Sequence, residues 1–281
     1  MKFAPKLVAR CVIEVAMPSN HFSPKLHKQL VLRHADYTVY AVNGLAVRNV
    51  AQPDEEFGNF ATQDDFSDLI PKGEIWISQK LAPKEGVFFI ADALTQLMLQ
   101  ADGVKPDKAY DEGLNVERLL REKLNGVEFR DGKPHKQVPK EIYLEPYLTI
   151  PDPKGPVDAW IVDGNLVRSY YKTDYTEGGH GYVYPWVPKG EIWIEDGVDR
   201  RERPYILTHE YLERRLMRDA GLGYDHAHEI CSTVEFDLRK NEEIKTFLAS
   251  GRRKVQKKDL PRLTRQDLFV FFLRKYVKRK S

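Results

Sequence analysis

The heptapeptide Pro71-Lys72-Gly73-Glu74-Ile75-Trp76-Ile77 recurs letter for letter as Pro188-Lys189-Gly190-Glu191-Ile192-Trp193-Ile194. A long-period repeat constrains the fold more than any local propensity, because both copies must build the same unit. Upstream, Asn43-Gly44 and Asp163-Gly164 each lie between apolar β-type runs, the pattern of a hairpin turn. Downstream of each heptapeptide come two helical patterns joined at a glycine, Gly103 or Gly221, the first of them starting near Val87 and Tyr205. Each unit is therefore expected to be strands followed by a helical hairpin.

The expected fold class is α+β: two internally duplicated lobes, each a small, mostly antiparallel sheet packed on a helical hairpin, side by side in pseudo-twofold fashion. The lobes are expected at residues 1–125 and 158–249, joined by a linker, 126–157, rich in proline and charge. The apolar patch Leu7–Ala16, interrupted by Arg10 and Glu14, reads as a strand, and the last helix is expected to run on to Leu248. Residues 250–281 form a basic tail.

With 281 residues, 42% of them hydrophobic, the chain can bury a core, and no stretch approaches the roughly 20 apolar residues of a bilayer span. The formal net charge is only +2. Its distribution is uneven: the tail carries twelve Lys/Arg against two Asp/Glu, which leaves −8 on residues 1–249. A basic segment at 252–280 suits a solvated rim or a docking surface for nucleic acid or an acidic partner. Two cysteines, Cys11 and Cys231, are too few for a disulfide framework, so a cytoplasmic, reducing setting is expected. Cys231 reads as a small buried hydrophobe.

The duplication also supplies an internal control: polar features confined to one copy are candidates for function. One extra residue in copy two, placed in the loop before Tyr205, brings the apolar stripes of the helices into coincidence, Leu94 with Leu212, Met98 with Leu216 and Leu99 with Met217. On a helix of about 100° per residue, Tyr205, Ile206, Leu212, Leu216, Met217 and Ala220 then form one apolar arc. His209 and Glu213 fall in its middle, where copy one has Ala91 and Thr95, while Arg214, Arg215, Arg218 and Asp219 take the solvated side. A carboxylate in an apolar face must be neutralised by something. Four residues apart, His209 and Glu213 can grip one divalent ion, with Glu210 beside them.

His209-Glu210-Tyr211-Leu212-Glu213 resembles the active helix of zincin-type metallopeptidases, His-Glu-x-x-His, with Glu213 in place of the second histidine. The resemblance implies a zinc ion held by His209 and Glu213 and a peptide bond attacked by metal-bound water that Glu210 activates. The nitrogen and oxygen donors also suit manganese or iron. The third ligand is expected from the second helix. His228, which matches Tyr110 and belongs to copy two alone, is preferred; Glu235 is its rival, lying nearer the level of His209 in a simple hairpin. Against Glu235, the pair Glu235/Arg239 has its counterpart in Glu117/Arg121. His180, in Gly178-Gly179-His180-Gly181, or a nearby tyrosine is a further candidate to polarise a substrate, though such a loop is usually only a turn. Tyr171, Tyr175, Tyr182, Tyr184 and Trp186 are expected in the sheet core or in the wall of a groove.

The expected function is thus a metal-dependent hydrolase acting on a peptide or protein. A second class, a non-catalytic adaptor that binds nucleic acid or protein through its basic tail, fits the same duplication. The bland counterpart of the motif is a surface helix with Glu210 laddered to Arg214.

Overall fold

The computed structural model describes residues 26, 28–48, 57–130 and 138–240. The expected strand at Leu7–Ala16, the helix extension to Leu248 and the basic tail lie outside the described residues.

Lobe one contains β1 (Gln29–His34), β2 (Tyr37–Val42), α1 (Gly44–Arg48), β3 (Phe60–Thr62), β4 (Glu74–Ser78), α2 (Ala82–Ala101) and α3 (Pro106–Asn125). Lobe two repeats the series as β5 (Tyr143–Ile150), β6 (Val157–Val162), α4 (Gly164–Tyr170), β7 (Gly178–His180), β8 (Glu191–Glu195), α5 (Arg203–Ala220) and α6 (Tyr224–Lys240). The two sheets have the same order, β1-β2-β4-β3 and β5-β6-β8-β7. In each, the outer pairings are antiparallel and the central one is parallel. The α+β reading with two similar, mostly antiparallel lobes therefore holds.

Two local expectations change. Asn43-Gly44 and Asp163-Gly164 do not turn hairpins. They start short helices instead, with Asn43 Oδ1 accepting the Ala46 N–H and Asp163 Oδ1 the Leu166 N–H. An Asn or Asp before Gly caps a helix as readily as it turns a strand, and the parallel β2–β4 pairing requires a crossover that a tight turn cannot provide. The stretch 126–157 is also more than a linker, because β5 lies within it and pairs with β6.

The repeated heptapeptide is the central strand of each sheet, buried on both faces. Ile75 and Ile77 pack with Phe89 and Ala93 of α2, and Ile192 and Ile194 pack with Ile206 and Leu207 of α5. Trp76 and Trp193 face the opposite cores. The preceding glutamate explains itself: Trp76 Nε1 donates to Glu74 Oε2 at 2.6 Å and Trp193 Nε1 to Glu191 Oε2 at 2.8 Å, so each buried indole finds an acceptor. The repeated glycine is needed for its conformation in one copy only. Gly73 has φ +81° and a Cβ there would approach Asp36 O to 2.8 Å, whereas Gly190 has open space around it.

The lobes are keyed together by reciprocal ion pairs. Arg168 of lobe two, fully buried, binds both carboxylate oxygens of Glu85 of lobe one at 2.6 and 2.8 Å. Arg48, its counterpart in lobe one, pairs with Glu177 and lies 3.9 Å from Glu202 of lobe two. Glu85 and Glu202 each also hold an arginine from the second helix of their own lobe, Glu85 with Arg121 at 2.9 Å and Glu202 with Arg239. Burial works against ionising Glu85, but Arg168 and Arg121 outweigh it and keep its pKa below the ordinary value. A buried charge held this way destabilises by about 3–5 kcal/mol when one partner is removed.

Candidate metal centre

Helices α5 and α6 pack through Tyr205, Leu212, Leu216, Ala227, Cys231, Val234 and Leu238. Gly221, at φ +66°, ends α5 in the left-handed conformation a reversal of the chain needs. The hairpin thus closes over one turn-spaced face of α5, and His209 and Glu213 lie on that face, 6% and 2% exposed. Arg214 departs from expectation. Rather than facing solvent it is buried, with Nε and Nη2 donating to the Lys189 carbonyl at 3.3 and 2.8 Å.

His228 and Glu235 both reach His209, by different nitrogens. His209 Nδ1 lies 2.9 Å from Glu235 Oε2, and His209 Nε2 lies 3.2 Å from His228 Nδ1. Glu213 Oε2 closes the group, 3.0 Å from His228 Nδ1 and 3.6 Å from His209 Nε2. The other Glu235 oxygen, Oε1, accepts from Arg239 Nε at 3.1 Å. Glu235 is therefore shared between His209 and Arg239, while the donor atoms of His209, Glu213 and His228 converge.

Among the described residues, Glu213 meets three imidazoles. His180, wholly buried on β7, places Nε2 3.1 Å from Glu213 Oε1. Its Nδ1 accepts the Tyr182 N–H at 3.2 Å, so Nε2 carries the proton; Nε2 stands close to the carboxylate without the alignment of a hydrogen bond. Burial raises the pKa of Glu213, but His180, His209 and His228 outweigh it and hold the group anionic. For His209, burial disfavours the imidazolium, yet hydrogen bonds to Glu213 and Glu235 raise its pKa well above the ordinary value. Burial keeps His180 neutral, its pKa lowered despite Glu213.

Donor atoms of His180, Glu210 and Glu213 form a second close group that shares Glu213. The tautomer of His180 leaves no lone pair on Nε2 in this arrangement, so His180 faces Glu213 with an N–H dipole and not with a ligating lone pair. Glu210 lines the same cleft as the histidines, with Glu177, Gly178, Tyr184 and Tyr224 along its walls. Burial and the Glu210 carboxylate push the Tyr184 phenol well above its ordinary pKa, so it stays a hydroxyl donor.

Sequence reasoning undervalued His180 and passed over Gly178. The signal was present in the duplication. Gly178 pairs with Ile194 where Phe60 pairs with Ile77, so Gly-Gly-His stands in lobe two in place of Phe-Ala-Thr. Phe60 packs on Phe89, their rings 5.7 Å apart. At Gly178 even a Cβ would lie 3.0 Å from Glu210 Oε1 and Ile206 Cγ2. Lobe one fills with an aromatic ring the place that lobe two keeps open.

No protein-family model, curated protein or solved structure matches the chain.

Proposed function

We propose that the protein is a metal-dependent hydrolase of the zincin-like peptidase kind, with a zinc ion, or manganese or iron, held by His209, Glu213 and His228. The observation that carries this reading is the spacing of three donor atoms, His209 Nε2, His228 Nδ1 and Glu213 Oε2, at 3.0, 3.2 and 3.6 Å from one another. Zinc bonds of about 2.0–2.2 Å in a tetrahedron separate donors by about 3.3–3.6 Å, close to the observed set, so it fits one ion. Glu235 supports it from behind: a carboxylate on Nδ1 fixes the tautomer that leaves Nε2 available, the usual second partner of a ligating histidine.

When bound, the ion supplies Lewis-acid activation, lowering the pKa of water toward about 7. Glu210, in the same cleft and next in sequence to His209, takes the proton of the attacking water and delivers it to the leaving amine. Tyr184 donates its hydroxyl to the substrate carbonyl oxygen as negative charge builds there. His180 Nε2, 3.1 Å from Glu213 Oε1, presents its N–H dipole to that oxygen and favours the orientation with Oε2 toward the histidines.

Lobe one lacks this set, carrying Ala91, Thr95 and Tyr110 at the places of His209, Glu213 and His228. It serves as a structural partner of the active lobe. A reducing, cytoplasmic setting accords with Cys231 being a free, buried thiol. Among the described residues no helix is long and apolar enough to cross a membrane.

Elemental analysis of the purified chain tests the reading. Stoichiometric zinc, manganese or iron is expected, lost in Glu213→Ala. Glu210→Gln is expected to keep the metal and lose hydrolysis of a casein-type substrate. Metal-free protein that takes up none of these ions on addition sinks the proposal.

A further inference from the structure

The two ends of the chain of charges that begins at Arg48 belong to different lobes. Arg48 sits at the C-terminal end of α1 in lobe one, with Nε donating to Phe57 O at 2.8 Å and its guanidinium paired with Glu177. Its Nη1 lies 3.9 Å from Glu202 Oε2, and Glu202, 2% exposed, also takes Arg239. Arg239 in turn grips Glu235 Oε1, and Glu235 Oε2 holds His209 Nδ1 at 2.9 Å. Every link is buried or nearly so, where a charge–charge contact is screened little by solvent. Removing one member leaves its neighbour an uncompensated charge and favours rearrangement of the rest.

The mirror-image chain shows which part is scaffold and which is addition. In lobe one Arg168 binds Glu85, Glu85 binds Arg121, and Arg121 Nε donates to Glu117 Oε1 at 2.7 Å. That chain stops beside Asp92, since Ala91 stands where lobe two has His209. Both lobes thus use the partner's arginine to set the second helix of their hairpin. In lobe two alone the last carboxylate of the series ends on an imidazole.

We infer that Arg48, from the lobe without the metal set, is a positioning residue for the metal centre of the other lobe, acting through Glu202, Arg239 and Glu235 on the orientation of His209. The inference rests on the metal reading given above and deepens it. Lobe one is then part of the active unit, because docking of the lobes and loading of the ion favour each other. Such coupling is reciprocal by thermodynamic necessity. Arg48 touches neither the ion nor substrate, and its effect is on affinity and ligand geometry.

The test uses the full chain and two ions. Zinc affinity is measured by competition with a chromogenic chelator, and the visible spectrum of the cobalt(II)-loaded protein reports ligand geometry. Arg48→Ala is expected to weaken zinc binding about 10-fold, at the low end of the range for residues behind a ligand, and to shift the cobalt bands. Arg48→Lys, which keeps a charge near Glu202 without the fork, is expected to recover part of both. Lys84→Ala is the control: it removes an exposed interlobe pair, 3.3 Å to Asp196, that does not lead to the site, and is expected to change neither. If Arg48→Ala does not fold, an intermediate affinity in Arg48→Lys carries the same information. Wild-type affinity and an unshifted spectrum in the folded Arg48 variants overturn the inference while leaving the metal centre standing. An equal loss in Lys84→Ala overturns it too, since the effect then belongs to lobe docking in general. Failure of the wild-type chain to bind either ion removes the metal reading, and this inference with it.

Discussion

His209 Nδ1 and Glu235 Oε2, 2.9 Å apart, divide the tasks of the two rival ligands of the second helix. Glu235 is already shared with Arg239, a pair whose counterpart in lobe one, Glu117 with Arg121, has Ala91 at the place of His209. It orients. On the proposed reading His228, with Nδ1 facing both His209 Nε2 and Glu213 Oε2, is the ligand.

This assignment gives an ordered set of affinities. Glu235→Gln is expected to reduce zinc affinity by about 10–100-fold, the usual cost of losing a carboxylate behind a ligating histidine. His228→Ala, which deletes a donor atom, is expected to cost more. Chelator competition on the folded variants decides: tighter zinc binding in His228→Ala than in Glu235→Gln reverses the two roles.

Lobe one replaces the site with a carboxyl pair, and that pair sets a pH dependence. Asp92 and Glu117 are both 1% exposed. Burial, and then the Glu117 carboxylate held against Arg121, push the Asp92 carboxyl up to about 8. Its proton is bound in the folded chain and lost in the unfolded chain above about pH 4. Stability from this group is therefore fully present below the unfolded pKa and falls as the pH rises from about 4 to about 8. Asp92→Asn keeps the shape, with an amide to donate to Glu117 and an oxygen to accept from Gln96, whose bond to Asp92 is 2.7 Å. The variant is expected to melt about 4 °C higher than the parent at pH 9, taking about 1–2 kcal/mol at 2–4 °C each. The difference is expected to vanish near pH 4; a constant difference across the range contradicts the protonation argument.

Cys231 makes a simpler prediction. It is fully buried in the hairpin core, and burial raises its thiol pKa far above the ordinary value. Thiolate, the reactive form, is absent under native conditions. Iodoacetamide is expected to leave Cys231 unmodified in the folded chain and to alkylate it in denaturant, as peptide mass mapping reads out. Rapid native labelling means that the α5–α6 hairpin opens readily.

Much of the site was legible because the chain carries its own comparison. His209 and Glu213 stood out as a histidine and an acid on an apolar arc where the sister copy has Ala91 and Thr95, and the structure buries both. Cys231, expected as a small buried hydrophobe, is fully buried in the same hairpin core. Periodicity fails where a long side chain can reach sideways. The angle of Arg214 on the helix points it to solvent, yet it is buried with its guanidinium on the Lys189 carbonyl. The Asn43-Gly44 and Asp163-Gly164 pairs were misread because the same short polar side chain caps a helix or closes a turn, and long-range pairing of β2 with β4 decides between them. Arg168 and Glu85 were not foreseen at all. They are 83 residues apart and meet only across the lobe interface.

Gly178 supplies the sharpest test of the cleft, since its role depends on the absence of one atom. A Cβ there would stand 3.0 Å from Glu210 Oε1, Ile206 Cγ2 and Trp193 O, tighter than ordinary packing allows. The backbone oxygen is fixed by the β7–β8 ladder and Ile206 is held in the core, so the carboxylate gives way. Gly178→Ala is therefore expected to displace Glu210 by a few tenths of an ångström while His209, Glu213 and His228 keep their places. A general base shifted so little loses part of its alignment; with about 100-fold for a 1 Å error, a loss of about 3–10-fold in kcat is expected. Zinc content and zinc affinity are expected to match the parent, and KM to change little. Gly178→Phe, which restores the residue of lobe one, is expected to abolish turnover by filling the cleft beside Glu210. Full activity in Gly178→Ala excludes Glu210 as the proton acceptor, and loss of zinc in that variant assigns Gly178 to the metal set instead.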